Sequence, residues 1–120
     1  MNRWVLLEHK VYSGLSFDVH YDFLIESEID CLTWKFFKIP LLNQSSVEIF
    51  KQPNHRLVWL SRVEHELSEN RGFVKRIDNG IFKNISDNVD SESFRYVLDG
   101  ELLNGLFEIS GNFCKLSKNN

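Results

Sequence analysis

A ten-residue stretch of alternating character, FDVHYDFLIE at residues 17–26, organises this sequence. Side chains alternate between the two faces of a strand, so the apolar odd-numbered residues share one face and the even-numbered residues share the other. His20 and Asp22 therefore point the same way, close enough to bind one ion or one substrate oxygen. Imidazole and carboxylate together suit manganese or zinc. The alternative is that both are solvated side chains on the polar face of a sheet.

A further histidine, His9, closes the preceding apolar run, WVLLEH at residues 4–9. If the two runs pair as neighbouring strands, His9 joins the same site. The candidate metal ligands are therefore His9, His20 and Asp22.

Length and composition indicate one ordinary globular domain over residues 1–120. The chain has 42% hydrophobic and 26% charged residues, with ten Phe that favour strands with large inward side chains. It has no apolar run of about 18 residues and no signal peptide pattern. We expect a cytoplasmic monomer that does not associate with membranes. Cys31 and Cys114 lack a metal-binding spacing, and buried thiols are the favoured interpretation.

The charge is uneven along the chain. A net charge of −3 is not typical of a protein that wraps duplex nucleic acid. Residues 35–76, however, carry eight Lys or Arg against four Glu. This basic middle segment could hold one phosphate group or one strand end, or it could be an ordinary solvated surface.

Short strands separated by turn signals about every ten residues predict an all-β fold. A small antiparallel β-barrel with short connecting helix or turns is favoured over a sandwich, because few prolines protect open edges. The predicted strands are residues 3–9, 17–26, 31–38, 55–62, 71–77, 81–85, 93–98, 102–109 and 113–116. The predicted loops and turns are residues 10–16, most of 40–54, and residues 65–70, 78–80, 99–100 and 110–112. Within 40–54, residues 47–50 could form a helical turn or a short strand.

An ordered series of motifs runs along nearly the whole chain. It begins with EH at 8–9, HYD at 20–22 and LTW at 32–34, and it continues with NHRL at 54–57, RGFVKR at 71–76 and LDGELLNG at 98–105. This series resembles the phosphoesterase domain of bacterial DNA ligase D and its stand-alone relatives. The resemblance implies a small β-barrel that removes a 3′ ribonucleotide or a 3′ phosphate from nucleic-acid ends in DNA repair.

The resemblance also implies roles for particular residues. His9, His20 and Asp22 would hold manganese, with zinc as the alternative metal. His55 would contact the reacting phosphate, and Lys38, four residues after a tryptophan, would help to hold it. The implied partners are nucleic-acid 3′ ends and a DNA ligase or polymerase.

Two positions depart from the family pattern. Leu24 stands where relatives carry an arginine, and Trp59 stands where they carry a tyrosine. Losing an arginine removes a bidentate phosphate clamp. Three basic residues could substitute for it: Arg56, Arg71 and Arg76.

Other interpretations therefore stay open. The chain could be a non-catalytic module of the same fold that binds nucleic-acid ends or a repair partner, or a barrel that binds a small ligand in an aromatic interior. His55 could be a surface histidine. His65 lies in a predicted polar turn and is expected at the surface, and Trp59 is expected in the core.

Overall fold

Antiparallel β-strands form nearly all of the regular structure. The computed structural model describes residues 2–67, 72–86 and 92–119. Within these residues there is no α-helix, and a 3₁₀ helix lies at Leu57–Leu60. The strands are β1 (Arg3–Ser13), β2 (Ser16–Glu26), β3 (Cys31–Phe36), β4 (Val47–Glu48), β5 (Phe50–His55), β6 (Glu64–Leu67), β7 (Gly72–Asn84), β8 (Ser93–Asp99), β9 (Asn104–Ser110) and β10 (Phe113–Ser117). None of the helical structure in these ranges has the length and apolar character that a membrane crossing needs.

The strands form one antiparallel sheet in the order β4-β10-β9-β8-β7-β1-β2-β3-β5, with β6 added beside β7. The predicted all-β class is confirmed, but the closed barrel is wrong. Among the described residues, the end strands β4 and β5 do not pair with each other. Only Ile49 separates them in the chain, and a hairpin needs about two connecting residues. They pair instead with β10 and β3, at opposite edges of the sheet.

The sheet nevertheless curves around a packed aromatic interior. Phe23 of β2 and Phe107 of β9 lie with ring centroids 4.8 Å apart, although three strands separate them in the sheet. Trp34 of β3 contacts Phe94 of β8 in the same way, at 5.0 Å. Residues from most of the strands fill this interior, so its aromatic side chains act as core and bury the inner face of β1 and β2.

A second apolar cluster covers the outer face of β1 and β2. Val5, Leu7 and Leu24 are fully buried there against Leu60 of the 3₁₀ helix and Val74 of β7. Burial on both faces explains why residues 4–7, WVLL, read as a continuous apolar run and not as an alternating one. The outer face becomes polar only beyond this cluster, towards His9 and His20.

Several predicted local elements are wrong. Residues 10–16 are not a loop, because β1 and β2 extend to a two-residue turn at Gly14 and Leu15, where Gly14 takes φ 64°. Residues 50–54 belong to β5 and not to a loop, whereas β4 is the short strand left open at 47–50. Residues 55–62 end one strand and form the 3₁₀ helix instead of a strand. Residues 64–67 form β6 and not a turn, and residues 68–70 lie outside the described part of the chain.

The predicted hairpin at residues 78–80 does not form, and β7 runs straight through it. The register of β7 against β1 shifts by one residue at Ile77, between the pairs Leu7–Arg76 and Leu6–Asp78, as at a β-bulge. The buried Asp78 carboxylate accepts the backbone N–H groups of Glu101 at 3.0 Å, Leu102 at 2.9 Å and Leu103 at 2.8 Å. These bonds shape the connection between β8 and β9, which spans residues 100–103 and is longer than the two-residue turn expected at 99–100.

We expect Asp78→Ala to destabilise the fold by about 3 kcal/mol, because it leaves three N–H groups of this connection without their acceptor. Asp99→Ala is the matched control, since the exposed Asp99 carboxylate accepts an N–H from Ile81 at 2.7 Å. That change should cost about 1 kcal/mol. Urea denaturation of the two variants measures both effects, and equal midpoints would contradict the role given to Asp78.

Candidate metal centre

The pairing of β1 with β2 brings three polar side chains together. The register places His9 opposite His20 and Leu7 opposite Asp22. Directly opposed residues share a face, and so do residues two apart on one strand. His9, His20 and Asp22 therefore lie on the outer face, at the polar end of the cluster that contains Leu7.

The side-chain atoms converge on one point. His9 Nδ1 lies 3.1 Å from His20 Nε2, His20 Nε2 lies 3.4 Å from Asp22 Oδ1, and His9 Nδ1 lies 3.8 Å from Asp22 Oδ2. Two ligands that are each about 2.1 Å from one ion are about 3.0 to 3.4 Å apart at angles between 90° and the tetrahedral angle, which covers the first two distances. The third distance, 3.8 Å, corresponds to a wider angle of about 130° at the ion. The His9, His20 and Asp22 group can therefore hold a metal ion, as their residue types and spacing predicted.

The surroundings of Asp22 keep its carboxyl group ionised, as a metal ligand must be. Its residue is only 7% exposed, and burial raises the pKa of its carboxyl group. Hydrogen-bonding interactions with His20 and then His9 lower it by more, so the pKa falls to about 2. Asp22 is thus ionised at neutral pH, in the state that metal binding requires.

His9 carries an unusual buried atom. Its Nε2 is buried, and no hydrogen-bond partner for it exists among the described residues. A buried polar atom without a hydrogen-bond partner costs free energy, so it calls for an explanation. If Nδ1 binds a cation, the proton of the neutral imidazole ring must be on Nε2. The unpartnered atom is then an N–H group that points away from the ion.

A small cavity of about 170 Å³ is lined by two of the three ligands, His9 and Asp22. Leu7, Leu67, Val74 and Trp59 form its apolar walls, and His55 reaches it from the end of β5. His55 Nδ1 lies 3.2 Å from the Pro53 carbonyl oxygen. A carbonyl oxygen only accepts, so Nδ1 holds a proton and donates it there. Nε2 is the ring nitrogen that remains for a ligand.

Of the other predicted site residues, only some lie on the same face as the metal centre. Arg76 is half-buried on β7 and pairs with Leu7, on the same face as the metal centre. Arg56 is exposed at the start of the 3₁₀ helix. Lys38 is exposed after β3 and lines a different groove, described below. Arg71 lies outside the described residues.

Sequence reasoning missed Lys35, which pairs with Asp22 across β2 and β3 and so shares its face. The predicted strand at 31–38 contained the signal, but only the register of the pair shows which lysine faces Asp22. His65 was expected at the surface, but it is half-buried in β6, with its ring 5.4 Å from that of Trp59. Trp59 is half-buried as well and forms the wall of the cavity, not the interior core.

The fold and the site define an all-β protein with a candidate metal centre of two histidines and one aspartate on the outer face of its sheet. No known protein family matches the chain, and no curated protein matches it significantly. Its activity must therefore be inferred from this geometry.

We expect Mn²⁺ to raise the melting temperature of the protein by several degrees. A ligand present at 100 times its Kd adds about 2.7 kcal/mol to the free energy of unfolding. The His20→Ala variant should lose the shift, because it lacks one of the three ligands. Thermal unfolding with and without MnCl₂ measures it.

His65→Ala provides the matched control for this experiment. It also removes an imidazole from the same face, but His65 is not one of the three ligands, so its Mn²⁺ shift should equal that of the wild type. A full shift in His20→Ala would exclude the centre described above.

Proposed function

We propose that this protein is a manganese-dependent phosphoesterase that removes a 3′ phosphate or a 3′ ribonucleotide from nucleic-acid ends during DNA repair. The observation that supports this most strongly is the convergence of His9, His20 and Asp22, two of which line a cavity together with His55. The resemblance of the motif series to the ligase D phosphoesterase domain points to the same reaction. We propose that the protein acts as a monomer alongside a DNA ligase or polymerase.

The chemical types of the three ligands limit which metal ion the site would bind. Two imidazoles and one carboxylate suit both manganese and zinc, and three protein ligands leave positions for water and substrate. We favour manganese, with zinc as the alternative. The bound ion would polarise a phosphate oxygen and lower the pKa of a bound water.

His55 would serve the leaving group. In phosphoester hydrolysis, the oxygen of water loses a proton to solvent and forms a bond to phosphorus, and the bond from phosphorus to the 3′ oxygen breaks. The 3′ oxygen then needs a proton. With Nδ1 held by Pro53, His55 Nε2 is the nitrogen that can hold that proton beside the cavity.

Two basic residues would neutralise the phosphate. Lys35 is paired with Asp22, and Arg76 is paired with Leu7, so both lie on the site face within one strand of the metal ligands. Fixed positive charge near developing negative charge is often the largest catalytic contribution. These positions make Lys35 and Arg76 better candidates for this role than Lys38 or Arg56.

One observation favours a second candidate, a binding module without turnover. Leu24 has no exposed surface and packs in the outer cluster, so the position where relatives carry a phosphate-binding arginine belongs to the core here. An arginine clamp at this position is therefore structurally excluded. If Arg76 and Lys35 do not replace it, the protein binds 3′ ends without cleaving them.

A primer with a 3′ phosphate or a single 3′ ribonucleotide, incubated with protein and Mn²⁺, separates the two candidates. We expect product from the wild type and a loss on the order of 100-fold in Asp22→Asn, because a metal ligand loses its charge. Denaturing gel electrophoresis of the labelled primer follows the reaction.

Asp18→Asn is the matched control, because Asp18 is an exposed aspartate on the same strand. It should keep the wild-type rate. Primer binding by the wild type without any product would support the binding module, and neither binding nor product would exclude both candidates.

A further inference from the structure

An open groove of about 590 Å³ lies next to the metal centre, between the end of β3 and the edge strands β4 and β5, with Phe113 of β10 also in its lining. Three phenylalanines line it: Phe37, Phe50 and Phe113. Phe37 is 60% exposed and Phe113 is 53% exposed. The groove is within the usual size range of ligand sites, about 300 to 1,000 Å³, whereas the cavity at the metal centre is smaller.

Phe37 connects this groove to the metal centre. Its ring centroid is 6.3 Å from that of His20 on one side and 6.2 Å from that of Phe50 on the other, and both contacts are edge-to-face. A molecule whose end reaches His20 would therefore extend over the exposed ring of Phe37.

The charges around the groove fit an anionic occupant. Lys35 Nζ lies 5.6 Å from the centroid of the Phe37 ring, and Lys38 lines the groove itself. Neither lysine has a salt-bridge partner in the part of the chain that the structure describes. In the lining itself Glu48 balances Lys38, so the additional positive charge at the groove is that of Lys35 beside Phe37.

Exposed aromatic rings interleaved with lysines match the chemistry of single-stranded nucleic acid. Its unpaired bases stack on aromatic side chains, and its phosphates contact lysines, whereas a duplex hides its base faces. A second copy of this chain would fit less well, because the same lysines would then face each other.

We infer that the groove of Phe37, Phe50 and Phe113 is a base-stacking subsite for single-stranded nucleic acid, which directs an unpaired 3′ end towards His20. The direction of the strand rests on the proposed function. The binding does not, because neither the rings nor the lysines need a metal.

Fluorescence anisotropy of a 5′-labelled decathymidylate in EDTA tests the subsite. Phe37→Ala should weaken binding about tenfold through the lost stacking. Phe17→Ala is the matched control, because Phe17 is another half-exposed phenylalanine, located on β2 away from the groove. It should bind like the wild type. Equal affinities of Phe37→Ala and Phe17→Ala would overturn the inference.

Two further measurements sharpen the test. Lys35→Ala should reduce the slope of log K against log salt by about 0.7, which corresponds to one phosphate contact on a single strand. An unlabelled blunt duplex should compete poorly, and competition equal to that of decathymidylate would overturn the inference. So would a dimer that Phe37→Ala dissociates in sedimentation velocity with no change in oligonucleotide affinity.

The inference and the proposed function fail separately. If Phe37→Ala binds normally in EDTA while the wild type releases 3′ phosphate in Mn²⁺, the subsite is wrong and the enzyme stands. If binding depends on Phe37 but no product forms, the subsite stands and the catalytic proposal is wrong.

Discussion

The register between β1 and β2 is the constraint on which the metal centre and its surroundings depend. It places His9 opposite His20 and Leu7 opposite Asp22. A slip of one residue would turn one strand over and send its ligands into the aromatic interior. The register is fixed because both strands are buried on both faces, so Val5 and Leu24 are tied to the outer cluster while Trp4 and Phe23 are tied to the inner core.

The burial of β1 and β2 on both faces also determines the surroundings of the metal ligands. The outer cluster ends where Leu7 and Leu24 give way to polar residues, and the ligands lie at that boundary. On one side, Trp59 of the 3₁₀ helix and Leu67 of β6 line the cavity, and Asp22 is buried beside them. On the other side, the exposed ring of Phe37 lies beside His20.

The sequence predicted what depends on local pattern. Alternation in residues 17–26 was enough to place His20 and Asp22 on one face, and short strands with turn signals were enough for the all-β class. It could not predict what depends on distant partners. The hairpin at 78–80 failed because the Asp78 carboxylate binds N–H groups more than twenty residues away, in the connection at 100–103. The closed barrel was wrong because only Ile49 connects β4 to β5, so these two end strands cannot pair as a hairpin. Lys35 was missed because the pattern of a strand does not reveal which residues of the neighbouring strand it pairs with.

The most direct measurement of the central claim is an anomalous difference map from a crystal grown with Mn²⁺. We expect one strong peak about 2.1 Å from His9 Nδ1, His20 Nε2 and an Asp22 carboxylate oxygen. A map with no peak there, or with the imidazole of His9 turned away from the other two side chains, would contradict the metal centre and with it the enzymatic proposal.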